Sequence, residues 1–434
     1  MKNKVVLFFP LLEEGKDYHW PPISLLALAA VLKSNNLEPV IIDERVEKDV
    51  ENRLKNELKD ALCLGITAFT GFSLKGSLKA AKICREYYPD KPIIFGGPHA
   101  TALPEQSKKS YLIDDVVTGY GEFEFLDKVQ KIAKGEDFRV AFDKSKLCSK
   151  LMSPDMPTIP YDTIDMNKYI NPKTRATMYL TSYGCPGKCT FCSTQTLRRW
   201  TPFSIMKVKK DLDNLFRVYS FKHLVFYDAT FFVNIKRAIE IIEYIQKYET
   251  DWSSDARADE VVKLDKDTIT LLEKKKLKCI TIGLETGSAR VVEIMKKGEG
   301  HIGRMYKIIN NFKDSPIDIA SGVIFGVPGE TIANLKTTLK VIKELCSIKK
   351  NFKVSTTFFR PLPGTALYHI LEKDYKFNFP NSLEEWAEYG EKSHYQYNEL
   401  MSIPWFSRDM EKEYHKIYTE FWQGNANLLE KRGI

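Results

Sequence analysis

The chain has 434 residues, 43% hydrophobic and 12% aromatic, too many for one average domain and enough to fill two or three cores. Its net charge of +8 comes from 65 basic and 57 acidic residues spread along the chain, with no basic stripe interleaved with aromatics, so nucleic acid is not an expected partner. The most apolar segment, Ile23 to Leu32, is far shorter than the ~20 residues that span a bilayer, and no cleavage site follows Met1, so a reducing cytoplasm is the expected compartment.

Residues 4 to 134 alternate short apolar runs with helical stretches. Expected strands are Val5–Phe9, Val40–Ile42, Ala61–Ile66, Pro92–Phe95 and Asp115–Val117, with helices near 23–35, 47–60, 75–88, 104–109 and 122–134. Strands buried on both faces and separated by helices predict a doubly wound, Rossmann-like parallel sheet. Such sheets bind ligands at the carboxyl ends of their strands. Those ends carry Pro10 to Trp20, Thr67 to Gly71, Gly96-Gly97-Pro98-His99 and Gly119-Tyr120-Gly121-Glu122.

A proline-punctuated stretch without a period (Pro154, Pro157, Pro160, Pro172) reads as a linker. Strands then resume at 176–181, 222–227, 252–256, 279–284, 317–324 and 354–359, with helical stretches between them. Six such units predict an α/β partial (βα)6 barrel, whose chemistry sits at the carboxyl-end loops. The tail is rich in Trp, Tyr, Glu and Lys and predicts a small helical cap. The expected organisation is therefore 1–137, a linker over 138–175, a barrel over 176–370 and a cap over 371–434.

Three cysteines, Cys185, Cys189 and Cys192, follow the first barrel strand with the spacing C-x3-C-x2-C. Three thiolates from one loop suit a cubane iron–sulfur cluster with one iron left open, since a closed cluster takes four. A structural zinc site takes four ligands, usually in pairs, and Cys63, Cys84, Cys148, Cys279 and Cys346 are isolated. A disulfide scaffold is at odds with a chain of this size and compartment. Three plain structural thiols are the remaining alternative. Apart from His19, the histidines (His99, His223, His301, His369, His394 and His415) form no metal-ligand spacing.

In this strand–loop context Cys185, Cys189 and Cys192 resemble the signature of the radical S-adenosylmethionine (SAM) superfamily. The resemblance implies that they hold a [4Fe–4S] cluster whose open iron chelates the amino and carboxylate groups of SAM. One-electron reduction then cleaves SAM to methionine and a 5′-deoxyadenosyl radical, with the electron supplied by a donor such as flavodoxin or ferredoxin. Phe191 fits the family's aromatic position beside the adenine. Gly283 to Ser288 and Gly322 to Thr331 resemble the segments that cradle SAM. Within them Glu285 is a candidate acceptor for an ammonium or ribose hydroxyl, and Gly326 a point of close backbone approach. Arg257 is a candidate bidentate partner for the SAM carboxylate, and Asp228 is placed to face the same cavity. An ordinary turn and a surface ion pair are the plain alternatives for Gly326 and Arg257.

The amino-terminal region is similar to the cobalamin-binding domain that precedes the barrel in class B radical SAM methyltransferase-like enzymes. The likeness rests on Pro21 to Leu32, Thr67 to Ser73, Gly96 to His99 and Gly119 to Glu122. It implies that Gly96, Gly97, Gly119, Gly121 and Glu122 lie along the nucleotide tail of cobalamin. Thr67, Thr70 and Ser73 become candidate hydrogen-bond partners of that tail. The first loop, Asp17-Tyr18-His19-Trp20-Pro21-Pro22, keeps D-x-H but has proline where the cobalt-ligating motif has glycine. Cobalamin without a protein histidine ligand is therefore expected. His19 as ligand and His19 as bystander or substrate contact stay open, as does His99 as tail neighbour or structural histidine.

What the resemblance implies is methyl transfer through methylcobalamin to an unactivated carbon of a small-molecule or peptide substrate. Cyclisation or rearrangement on the same architecture is an alternative, as are an RNA-modifying methylthiotransferase and a non-catalytic iron–sulfur or corrinoid carrier. Against a methylthiotransferase, the first domain has only Cys63 and Cys84 in place of a second cluster motif. Tyr395, Tyr397, Trp405 and Trp422 are candidates either for a substrate pocket or for packing between cap and barrel.

Overall fold

The computed structural model describes residues 3–12, 15, 18–139, 156–196, 199–392 and 403–429. Asp17, Cys148, Tyr395, Tyr397 and much of the expected linker lie outside them. The chain forms two compact units, one of Met1–Pro172, Thr201–Ser220 and Asn378–Tyr395, the other of Lys173–Trp200, Phe221–Phe377 and Gln396–Ile434.

The first unit contains β1 (Lys4–Phe9), α1 (Ile23–Ser34), β2 (Glu38–Asp43), α2 (Val50–Leu58), β3 (Leu64–Thr67) and α3 (Ser73–Tyr87). It continues with β4 (Ile93–Gly96), α4 (Gly97–Ala102), α5 (Pro104–Lys108), β5 (Asp115–Val116) and α6 (Glu122–Lys134). All five strands are parallel, in the order β2-β1-β3-β4-β5. The expected strands are all present. Their apolar runs are long enough for strands, too short for helices, and buried on both faces. Helix α1 is apolar nearly all round and buries Leu25, Leu26, Ala29, Ala30 and Leu32, as a helix enclosed by protein must. Val5, Leu7 and Phe9 form one core with Leu25, Ile94, Phe125 and Val129. Burial of each large side chain contributes about 1.5–3 kcal/mol.

Two buried charge clusters pin what surrounds this sheet. Asp115 binds Lys108 at 2.8 Å and also Lys128, which is itself buried. Asp43 is forked by Arg45 and accepts the Tyr169 hydroxyl at 2.9 Å, which ties part of the expected linker to β2. The strand order reverses between β1 and β3, and at such a switch point the loops diverge and leave a crevice outside the carboxyl ends.

The second stretch of chain runs β6 (Ala176–Tyr179), β7 (Ser182–Tyr183), β8 (Thr201–Pro202), α7 (Ile205–Val218), β9 (His223–Phe226), α8 (Ile235–Ile245) and β10 (Asp251–Ala256). It goes on through α9 (Ala258–Val261), α10 (Lys266–Lys274), β11 (Leu277–Ile282), α11 (Ala289–Met295) and α12 (His301–Asn311). It ends with β12 (Asp318–Phe325), α13 (Ile332–Ile348), β13 (Phe352–Phe358), α14 (Ala366–Asp374), α15 (Leu383–Lys392) and α16 (Arg408–Gly424). The second unit's sheet is all parallel, in the order β6-β9-β10-β11-β12-β13. These are the six strands expected of a partial (βα)6 barrel. Asn234, Asp265 and Thr365 cap α8, α10 and α14, and Thr331 forms a reciprocal box with Asn334 on α13, satisfying amides that have no partner in the first turn. The tail is helical, as expected, but α15 packs with the first unit and α16 with the second.

Candidate functional site

In the second unit the carboxyl ends of the strands converge on the cysteine loop. Asp228, fully buried after β9, accepts bonds from Thr181 N (3.0 Å), Thr181 Oγ1 (2.8 Å) and Ser182 Oγ, and so fixes the chain where it leaves β6. Arg237 closes the same cluster by donating to Thr181 O at 2.8 Å. Burial raises the Asp228 pKa, while the Ser182 and Thr181 donors oppose the rise. The carboxylate expected to face a ligand is thus turned onto the backbone beside the cysteine loop.

The middle of that loop is anchored from two sides. Thr190 donates through its amide to Met295 O (3.0 Å) and through its hydroxyl to Ile294 O (2.7 Å), and Leu367 N donates to Thr190 O (3.0 Å). Cys189 is buried, whereas Cys185, Phe191 and Cys192 are half-buried, and none of the three cysteines is in a disulfide. Gly187 N donates to Cys185 Sγ at 3.3 Å, and Cys192 Sγ lies 3.0 Å from Thr194 Oγ1. Arg257 Nη1 stands 3.9 Å from Cys189 Sγ, and its fork is held by Asp259 at 2.9 and 3.1 Å. Asp259, two residues on, thus already occupies the Nε and Nη2 donors of Arg257.

Among the described residues no three His, Cys, Asp or Glu side chains converge as a site for a single metal ion. A cubane does not require that, because each thiolate ligates a different iron. Three thiols outside any disulfide on one anchored loop, with the Arg257 cation beside them, fit such a cluster. Cys63 and Cys84 do not extend the set: both are fully buried in the first unit, where burial pushes their pKa up to about 12 and about 11.

Glu285 sits at the end of β11 with φ 60°, bridged to Val323 of β12. Lys297 Nζ donates to its Oε1 at 3.1 Å. Burial alone would lower the Lys297 pKa, but Glu285 and then Cys189 hold it above its ordinary value. At the end of β12, Gly326 N donates to Glu330 Oε2 (2.7 Å) and Gly326 O accepts from Trp405 Nε1 (2.8 Å). Tyr414 donates its hydroxyl to Glu330 Oε2 at 2.8 Å. Burial pushes the Glu330 pKa up to about 7, and its Oε1 has no hydrogen-bond partner among the described residues. Gly326 is thus an anchored turn, gripped by the tail, and Trp405 serves there as a donor.

In the first unit the loops at the switch point form a second candidate site. Thr67 ends β3, Ser73 Oγ donates to Phe69 O (3.0 Å), and Thr70 Oγ1 lies 3.0 Å from His99 Nδ1. Gly97 has φ 89°, and a Cβ there would press within 3.1 Å of Ala68 O, so no larger residue brings β4 this close to the β3 loop. A Cβ on Gly96, by contrast, would meet only Val117 O, at 3.8 Å. Thr101 Oγ1 accepts from Gly119 N at 3.0 Å and donates to Gly97 O at 2.8 Å, joining the β4 and β5 loops. Gly121 and the buried Glu122 open α6. Burial pushes the His99 pKa down to about 4, and its Nε2 is buried without a hydrogen-bond partner among the described residues. The open backbone edge at Gly96 fits close approach of a bulky polar ligand such as a nucleotide tail. His19 is half-buried on the loop after β1.

Residues 179–342 match the Radical SAM superfamily and residues 17–127 match the B12 binding domain. The chain is a radical SAM enzyme with a B12-binding domain. An uncharacterized methyltransferase of Pyrococcus horikoshii is 28% identical over 80% of this chain and 78% of its own length. The cytidylyl-2-hydroxyethylphosphonate methyltransferase of Streptomyces wedmorensis is 22% identical over 78% of this chain and 73% of its own. The structure of the radical SAM methyltransferase TsrM from Kitasatospora setae, with cobalamin and a [4Fe–4S] cluster bound, aligns at a TM-score of 0.70 with 15% identity. That alignment covers 85% of this chain and 77% of TsrM and establishes a shared fold. No helix among the described residues is long and apolar enough to cross a membrane.

Three residues of this radical SAM enzyme were not singled out from sequence: Lys297, Tyr414 and Trp386. Lys297 lies within a plain Lys296-Lys297 pair after α11, and Tyr414 follows its partner Glu330 by 84 positions, so neither carries a local signal. Asp259, two residues after Arg257, was the one legible sign that the arginine has a local partner.

Proposed function

We propose that this radical SAM enzyme methylates an unactivated carbon, using a [4Fe–4S] cluster and SAM in the second unit and cobalamin in the first. The observation that carries the reading is the anchored three-thiol loop with the Arg257 guanidinium 3.9 Å from Cys189. When bound, the cluster supplies one electron for homolysis of a sulfonium and cobalamin supplies the methyl group, chemistry that no acid–base side chain can perform on such a carbon.

The chain's own residues bind and orient. Cys185, Cys189 and Cys192 ligate the cluster, with Thr190 and Asp228 holding their loop rigid. Phe191 and the Gly326 turn border the adenine. Arg257 takes the SAM carboxylate by sharing its fork with Asp259, and Glu285, balanced by Lys297, takes the ammonium or ribose. Thr67, Thr70, Ser73, Gly96, Gly97, Gly119, Gly121 and Glu122 receive the cobalamin tail. The reading brings with it a reducing cytoplasm, a one-electron donor such as flavodoxin or ferredoxin, and a small-molecule or peptide substrate.

Anaerobic reconstitution tests it. Expected are iron and labile sulfide in the protein, a corrinoid visible spectrum, and 5′-deoxyadenosine formed from SAM under reduction. The Cys185→Ala/Cys189→Ala/Cys192→Ala variant should lack iron and form no deoxyadenosine. Wild-type protein without iron, or a triple variant that behaves like it, overturns the proposal.

A further inference from the structure

Helix α15 lies some 300 positions after β3 and β4 in sequence, yet it packs on the loops that follow those strands. Gly390 lies directly on the Gly71–Phe72 backbone: a Cβ there would fall inside it, 2.5 Å from Gly71 Cα. Only glycine permits that approach. One turn earlier Trp386 is fully buried, its ring edge-on to His99 at a centroid separation of 5.8 Å and stacked with Phe379 at 6.1 Å. His99 in turn meets the Thr70 hydroxyl at 3.0 Å and donates its backbone N–H to Ala68 O at 3.0 Å. Gln106 Nε2 secures the start of the segment by donating to Pro380 O at 3.1 Å. The returning segment therefore touches Gly71 and Phe72 directly and reaches Thr70 through a single side chain.

We propose that residues 378–392 complete the cobalamin site, with Gly390 and Trp386 as positioning residues that hold the 67–73 loop ready for the cofactor tail. The inference rests on the cobalamin reading above. A loop fixed before binding loses no further conformational freedom when the ligand arrives, so bracing it appears directly as affinity. Without the brace the same loop must be ordered by the cofactor itself, and binding weakens even though no residue touching cobalamin has changed.

The test uses the full chain, hydroxocobalamin as probe, equilibrium dialysis read by the visible spectrum, and amide hydrogen exchange. Gly390→Val and Trp386→Ala are expected to bind about ten-fold or more weakly than wild type. Trp386→Phe, which keeps an aromatic edge on His99, should restore most of the affinity. Exchange in residues 67–73 should quicken in the weak binders, while β1 and β3 stay protected as in wild type. Should Gly390→Val lose protection throughout the sheet, Trp386→Ala against Trp386→Phe makes the same comparison. Variants that bind like wild type, or that weaken with 67–73 exchange unchanged, overturn the inference alone. Wild-type protein that does not bind hydroxocobalamin overturns the cobalamin reading and this inference with it.

Discussion

Lys297 Nζ stands 3.1 Å from Glu285 Oε1, with the two side chains only 9% and 13% exposed. Removing one partner of so enclosed a pair strands the other charge, so Lys297→Met should destabilise the protein by about 3 kcal/mol. The double variant Lys297→Met/Glu285→Gln should recover most of that loss, because neither charge then remains unpaired. Urea unfolding of the two single variants and the double variant measures it. A double variant no more stable than Lys297→Met would show that the pair is not what matters.

Asp228→Ala removes the acceptor of three donors on Thr181 and Ser182. Those donors sit in a dry cluster, so a loss of about 2–4 kcal/mol is expected, together with lower iron content after reconstitution because the cysteine loop starts there. Asp228→Asn keeps one of the two acceptor oxygens and should lie between Asp228→Ala and wild type. Iron content at the wild-type level in a destabilised Asp228→Ala would confine the residue to stability.

Tyr414→Phe deletes the donor to Glu330 Oε2. Loss of a hydrogen bond to a buried carboxyl costs about 1.5–3 kcal/mol, and the Gly326 turn loosens with it. Weaker SAM binding by equilibrium dialysis is the expected functional sign. Unchanged affinity would detach the tail's grip on this turn from SAM recognition.

The stability profile with pH should carry two opposing contributions. Burial pushes the pKa of His99 and of His301 down to about 4, so the unfolded chain binds more protons between about pH 4 and 6.5. Their contribution is present above that window and is lost as pH falls through it. Glu330, raised to about 7 by burial, acts the other way: its contribution is present at acid pH and is lost as pH rises from about 4.5 to 7. Each is worth at most roughly 3 kcal/mol. Across this range acidification should lower the thermal midpoint of Glu330→Gln more than that of wild type. Parallel profiles for the two proteins would exclude Glu330 as a titrating contributor.

The strands were legible because each is a short apolar run too brief for a buried helix, from Val5–Phe9 to the six runs after Ala176. The cysteine loop was legible because three soft ligands at one spacing have few other uses. What a side chain faces was less legible. Asp228 and Arg257 were rightly placed at strand ends, yet local partners, Thr181 and Asp259, take them up, and strand periodicity says nothing about such competition. The tail was read as helical, but a helix pattern fixes only an apolar face and not the surface that covers it. That α15 rests on Gly71 is a tertiary fact, hinted at only by a glycine one turn after Trp386.

The placement of α15 also orders events at the ribosome. Residues 3–139 emerge early and can form their five-stranded sheet, but the helix that lies against Gly71 is synthesised some 300 residues later, roughly 15–60 s at ordinary elongation rates. During that interval the His99 ring lacks the edge-on contact that Trp386 later makes with it. A chain cut before residue 378 carries neither Gly390 nor Trp386, and the Gly71–Phe72 backbone and the His99 ring then lack the cover they have here.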